Sequence, residues 1–350
     1  MKPRILEESG VSCFDIERGN RRSLCLELNM NQSGRGNEMK RLLGYGLIVV
    51  VAAFILLAAF YFLFPESVFK FAVDAQRRSA DLVKKEVQVD DHRIVYLEGG
   101  KGETVVLLHG FGCNKDFWTA FAKYPKGYHW IIPDLPGFGE SSQVPTDRYD
   151  RESQVERIDR FVKVLKLDKF HMAGNSLGGA ITATYGAKHP EKVLTLALLD
   201  TSGVPSQKKT EFVMELEKGN NPLLPQNMDE FDRLMSLVYV KPLPMPSSFK
   251  KILAADWFAH REFNKKIWDE CQPFNASKYS LLPILPMIQA PVLILWGDQD
   301  KLFDVGSVAS LEKNLKNYKT VILKDTGHCP IMEKPEETAK AYMDFLKEKI

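Results

Sequence analysis

The stretch Phe170-His171-Met172-Ala173-Gly174-Asn175-Ser176-Leu177-Gly178-Gly179-Ala180 decides the fold. An apolar run, Phe170 to Ala173, leads into G-x-S-x-G at Gly174 to Gly178, and a small-residue, helix-competent segment follows, Gly179 to Ala187. A serine on a tight strand-to-helix turn has its hydroxyl pushed clear of the backbone, and its flanking glycines are required because a Cβ would clash there. The helix that starts behind it aims free N–H groups at negative charge developing near that hydroxyl. The pattern predicts a nucleophile at Ser176.

A serine hydroxyl is a weak nucleophile at neutral pH and needs a base, a group to orient the base, and donors for an oxyanion. Downstream, the buried-strand pattern Pro291 to Trp296 ends in Gly297-Asp298-Gln299-Asp300, and the strand Thr320 to Leu323 ends in Lys324-Asp325-Thr326-Gly327-His328. An acid and a histidine thus follow successive strands, where a parallel sheet gathers its chemistry. His328 is the expected base. Asp300 is the expected acid, with Asp298, Asp304 and Asp200 (at the end of the strand Val193 to Leu199) as alternatives. Upstream, Thr104 to Leu108 runs into His109-Gly110-Phe111-Gly112. The glycines let the backbone turn so that the N–H groups of Phe111 and Leu177 form the expected oxyanion hole. His109, beside that loop, is expected to hydrogen-bond structurally rather than to act as base.

HGFG (109–112), DLPGFGESS (134–142), GNSLGG (174–179), WGDQD (296–300) and GHCPIMEKP (327–335) occur in this order. The set resembles the α/β-hydrolase family over roughly residues 86 to 350. Within it, the chain is similar to membrane-anchored monoacylglycerol lipases and related bacterial lipases. The resemblance implies a mostly parallel eight-stranded sheet with helices on both faces and a helical cap. It also implies a Ser176-Asp300-His328 triad acting through an acyl-enzyme on carboxylic esters, acylglycerols above all. General carboxylesterases, and carbon–carbon bond hydrolases that share the G-N-S-x-G-G elbow, are the alternatives. The latter usually carry tryptophan after the histidine, where this chain has Cys329. Dehalogenases and epoxide hydrolases need an aspartate at position 176.

With 350 residues, 45% of them hydrophobic, and a net charge of +2, the chain is long enough for one large domain and has no nucleic-acid footprint. Its five cysteines show neither metal spacing nor a disulfide framework. No metal, organic cofactor or obligate protein partner is implied. Leu42 to Phe64 is an uncharged apolar run long enough to span a bilayer and too long for a signal peptide. It is read as a single-pass anchor, and basic residues flank it on both sides, so its orientation stays open. Read from Met39, the chain opens Met-Lys-Arg before that run, as a bacterial inner-membrane signal-anchor does. Residues 1–41 are expected to be a polar, disordered tail, and 65–85 an amphipathic linker that lies on lipid or packs on the catalytic domain. Strand–helix alternation predicts strands near 104–109, 129–134, 170–175, 193–199, 292–296 and 319–323, after an antiparallel pair within 86–98. It breaks from about 204 to 279, a Met- and aromatic-rich segment expected to fold as a cap over the serine and to line an acyl pocket.

Overall fold

The computed structural model describes residues 24–205, 208–241, 243–271 and 279–348, with side chains from residue 37 onward. The chain divides into two units, Met1–Phe64 and Pro65–Ile350.

The first unit holds helix α1, Leu24–Leu63. Its part from Asn37 to Leu63 is long and apolar enough to cross a membrane, and none of its apolar window is buried. At 1.5 Å per residue this part is about 40 Å long, more than a hydrocarbon core of about 30 Å requires. The helix reaches upstream into the stretch expected to be a disordered tail. Each residue added to a nucleated helix gains a backbone hydrogen bond, and Leu24, Leu26, Glu27, Leu28 and Met30 are good helix formers. The remainder of that tail, residues 1–23, lies outside the described residues.

The second unit is an eight-stranded sheet: β1 Leu82–Val89, β2 His92–Gly100, β3 Glu103–Leu108, β4 Tyr128–Pro133, β5 Phe170–Asn175, β6 Val193–Leu199, β7 Val292–Gly297 and β8 Tyr318–Leu323. Its order is β1-β2-β4-β3-β5-β6-β7-β8. β1 pairs with β2 and β2 with β4 antiparallel, and every later pair is parallel. The helices, in chain order, are α2 Pro65–Ser79, α3 Thr119–Ala122, α4 Arg151–Val164, α5 Leu177–Lys188, α6 Glu211–Glu217, α7 Met228–Val238, α8 Ser247–Ala259, α9 Arg261–Cys271, α10 Ser307–Asn314, α11 Pro330–Glu333 and α12 Pro335–Lys347.

Alternation along the strands divides the core in two. On β3, Val106 and Leu108 enter one hydrophobic cluster, while Val105 and Leu107 enter the other. The first cluster takes in α4 and α5 and continues into the helices between β6 and β7. The second packs Trp118, Tyr342 and Phe345 on the opposite face. Both faces are therefore covered, as a parallel sheet requires.

Residues 65–85 form two elements rather than one linker. Pro65 opens α2, where its missing N–H costs nothing, and Arg77 and Arg78 sit in the last turn near the negative end of the helix dipole. The helix packs on this unit. Phe69 meets Phe249 edge to face at 5.2 Å, and Arg77 grips Asp116 through Nε and Nη2, each at 2.7 Å. Strand β1 begins at Leu82, earlier than expected, because Lys84, Lys85 and Glu86 obscure its pattern. Those charges face solvent on an edge strand, where they discourage pairing with another chain.

Between β6 and β7 the chain builds α6 to α9, two of which carry local start signals. Thr210 caps α6 by accepting from Val213 N–H, and Asn227 caps α7 by accepting from Glu230 N–H.

Candidate active site

Ser176 sits between β5 and α5 with φ 58° and ψ −118°, a conformation an L-residue adopts only when its surroundings impose it. They do so here. A Cβ on Gly174 would overlap the Gly178 backbone, and one on Gly178 would run into the Leu108 carbonyl. Ser176 N–H donates to the Leu199 carbonyl at 3.0 Å, and the Ser176 carbonyl accepts from Ser202 N–H at 3.1 Å. The end of β6 and the loop that follows it thus hold both the N–H and the carbonyl of Ser176.

The expected oxyanion loop lies against it. A Cβ on Gly110 would stand 3.2 Å from the Ser176 Cβ. Among the described residues, neither Phe111 N–H nor Leu177 N–H has a protein acceptor. Leu177 is the first residue of α5, so its N–H belongs to the positive end of that helix. His109, fully buried, has both ring nitrogens engaged: Nδ1–H donates to the Gly110 carbonyl at 2.8 Å, and Nε2 accepts from Leu135 N–H at 2.9 Å. Burial lowers its pKa to about 4, so the ring is neutral and its proton fixed on Nδ1.

The four candidate acids separate by geometry. Asp300 is buried and its Oδ2 accepts from His328 Nδ1–H at 2.8 Å; its Oδ1 accepts from the N–H groups of Leu302 and Phe303 at 2.7 and 3.1 Å. Asp298 is exposed and accepts from Thr326 N–H in the loop that carries His328, and Asp304 accepts from Gly306 N–H in its own turn. Asp200 is buried close to Asp300 and His328. His328 itself is 3% exposed, and Ser176, Phe111 and His328 line one cleft.

The helices between β6 and β7 contribute Leu234, Met235, Val238, Tyr239 and Trp257 to that cleft. Phe231 and Leu237 are buried in the core instead, and Met214 is 45% exposed. The Met- and aromatic-rich segment is thus partly its own core and partly a lining for the serine's cleft.

Several residues that hold the site in place went unrecognised in the sequence. Asn175 donates its amide to the His328 carbonyl at 3.0 Å and to the Leu199 carbonyl at 3.2 Å. Glu333 accepts from Gly327 N–H at 2.8 Å and from Val240 N–H at 2.9 Å, and His328 N–H donates to the Val238 carbonyl at 2.8 Å. The end of α7 is therefore stitched to the histidine loop. The motif GHCPIMEKP contains Glu333, but its partner Val240 lies far away in sequence. Asp134, in the DLPGFGESS motif, is fully buried and accepts from Lys115 N–H, Lys115 Nζ and Glu140 N–H. That motif braces the sheet edge and leaves the cleft to others. The described cysteines Cys113, Cys271 and Cys329 are free, and burial raises each of their pKa values.

Known proteins place this architecture in context. Residues 103–335 match the alpha/beta hydrolase fold family. Lipase 1 of Psychrobacter immobilis is 34% identical over 277 residues, covering 78% of this chain and 87% of that protein. Human monoacylglycerol lipase ABHD6 is 30% identical over 316 residues, covering 87% of this chain and 93% of its own length. The crystal structure of a membrane phospholipase A, described as a novel bacterial virulence factor, superimposes with a TM-score of 0.79 at 39% identity, covering 89% of this chain and 99% of the other. With a strand–serine–helix elbow on a mostly parallel sheet, and relatives matched along most of its length, the chain belongs to the alpha/beta hydrolase fold family.

Proposed function

We propose that the protein is a membrane-anchored serine hydrolase that cleaves carboxylic esters of lipids, with monoacylglycerols the leading substrate class. The observation that carries this reading is the buried His328–Asp300 hydrogen bond beside the cleft that Ser176 lines. His328 takes the proton of Ser176 as its Oγ attacks the ester carbonyl, and Asp300 keeps the imidazole in the required tautomer and steadies its cation. The N–H groups of Phe111 and Leu177 stabilise the oxyanion; collapse expels the alcohol and leaves an acyl-enzyme, which water then hydrolyses.

Substrate class is supported from two sides. The relatives are named lipase and monoacylglycerol lipase, and a structural neighbour is a membrane phospholipase A. The cleft is lined by Leu223, Leu234, Val238 and Trp257, which suit an acyl chain better than a polar one. The cap is assigned to the described residues between about 204 and 279 (206–207, 242 and 272–278 lie outside the described residues), the single-pass anchor to residues 42–64, and a bacterial inner membrane is the compartment that suits such an anchor.

Hydrolysis of acetyl to oleoyl monoacylglycerols by wild type and Ser176→Ala in detergent tests this reading. Turnover peaking at medium or long chains, and falling by about 10⁴ in Ser176→Ala, supports it. Activity confined to acetyl and butyryl esters would make the protein a general carboxylesterase, and retained activity in Ser176→Ala would remove the nucleophile.

A further inference from the structure

Asp200 ends β6 in the left-handed region, at φ 43°, and is fully buried. Its Oδ1 accepts from Gly297 N–H at 2.9 Å. Its Oδ2 is also buried, and among the described residues no donor reaches it. One oxygen of Asp200, one of Asp300 and a ring nitrogen of His328 all lie within 4.8 Å of one another. Two ionised carboxylates this close in a dry site repel strongly, and an ionised oxygen with no donor is costly to bury. Asp300 already has the donors an ionised carboxylate needs: Leu302 N–H, Phe303 N–H and His328 Nδ1–H. Asp200 has one.

We propose that Asp200 is a neutral carboxylic acid whose Oδ2–H is donated to Asp300, making it a positioning residue that holds the Asp300 carboxylate toward His328. This rests on the assignment of His328 as base and Asp300 as its orienting acid. A proton on Oδ2 resolves both anomalies, since it turns an orphaned acceptor into a donor and removes one of two neighbouring negative charges. Burial, then the charge of Asp300, pushes the Asp200 carboxyl well above the usual range, the Gly297 N–H opposes this, and Glu333 adds to it. Cys329 and His328 complete the titratable groups near it. Asp200 contributes no proton to the reaction; it narrows the freedom of the residue that does the orienting.

Infrared difference spectra and pH profiles of Asp200→Asn and Asp200→Leu test the proposal. Wild type at neutral pH is expected to show the carbonyl stretch of a buried protonated carboxyl, and Asp200→Asn to lack it. Asp200→Leu, with no donor, is expected to lower kcat about 10-fold at unchanged KM. The amide of Asp200→Asn can still donate to Asp300 and accept from Gly297, so it restores kcat to within about threefold of wild type, with the acid limb of kcat/KM in place. If Asp200 were ionised, Asp200→Asn would remove a negative charge beside the proposed base and move the acid limb of kcat/KM down by about one pH unit. That shift, or absence of the carboxyl band in wild type, overturns the proposal. The infrared band is independent of turnover, so failure of the Ser176 and His328 assignments would show separately, as activity surviving in Ser176→Ala.

Discussion

The side-chain amide of Asn175 donates to the backbone carbonyl of His328 across 3.0 Å, so the residue before the serine holds the main chain of the histidine. Both residues are buried; Asn175 is the last residue of β5, and His328 lies in the loop after β8. The elbow and the histidine loop are therefore one hydrogen-bonded assembly.

Asn175→Ala should strip the buried His328 carbonyl of this donor. The Leu199 carbonyl keeps the Ser176 N–H and suffers less. A loss of about 1–3 kcal/mol in stability is expected, read by denaturant unfolding. A fall in kcat of about 10-fold should accompany it, because the affected carbonyl is the main chain that carries the proposed base.

Glu333→Ala should separate the histidine loop from the end of α7, since the carboxylate bridges Gly327 N–H and Val240 N–H. Faster amide hydrogen exchange at Val240 and Gly327, with a lower melting temperature, is the expected result. Unchanged exchange at Val240 would show that the His328–Val238 bond alone is enough.

Trp257 closes the cleft over the loop from Gly110 to Gly112, the proposed oxyanion loop. Its indole lies where a Cβ on Gly112 would stand 2.5 Å from Cζ2, and Nε1–H donates to the Leu223 carbonyl at 3.1 Å. Trp257→Ala should move the preferred acyl chain toward greater length, measured across the monoacylglycerol series. Gly112→Ala should instead lose activity about 100-fold or more, because its φ of +68° and the indole both reject a side chain.

Buried neutral His109 makes stability depend on pH. Its pKa falls from an ordinary 6.5 to about 4 in the folded state. Because that value is depressed, its contribution is complete above pH 6.5 and is lost as pH falls from 6.5 toward 4, where the unfolded chain binds the proton and the folded one resists it. Denaturant melts at pH 7, 5.5 and 4 should show a decline that His109→Gln flattens.

The elements proposed to carry the reaction are the most legible in the sequence, because their signals are local. Gly174, Ser176 and Gly178 must lie within one turn, and Asp300 and His328 each follow an unmistakable apolar strand. The choice among four aspartates needed three dimensions: Asp298 and Asp300 are two residues apart, and only the fold brings one of them to His328. Asn175 and Glu333 act on backbone groups distant in sequence, and no residue pattern records such a partner. Only residues 82–85, the start of strand β1, fall in the expected linker, because Lys84 and Lys85 interrupt the apolar pattern there. The upstream extension of α1 was hidden because helix propagation depends on its neighbour more than on its own composition.

The backbone strain at Ser176 has a bearing on how such a protein ages and evolves. A non-glycine residue at φ 58° and ψ −118° costs about 1–3 kcal/mol, and glycine would relieve most of it while adding some unfolded-state entropy. An inert Ser176→Gly protein should therefore outlast the active one on heating, by about 1 kcal/mol at the melting midpoint. Selection for durability alone would erase the proposed nucleophile; a serine kept in so tightly packed an elbow marks a standing compromise between persistence and turnover.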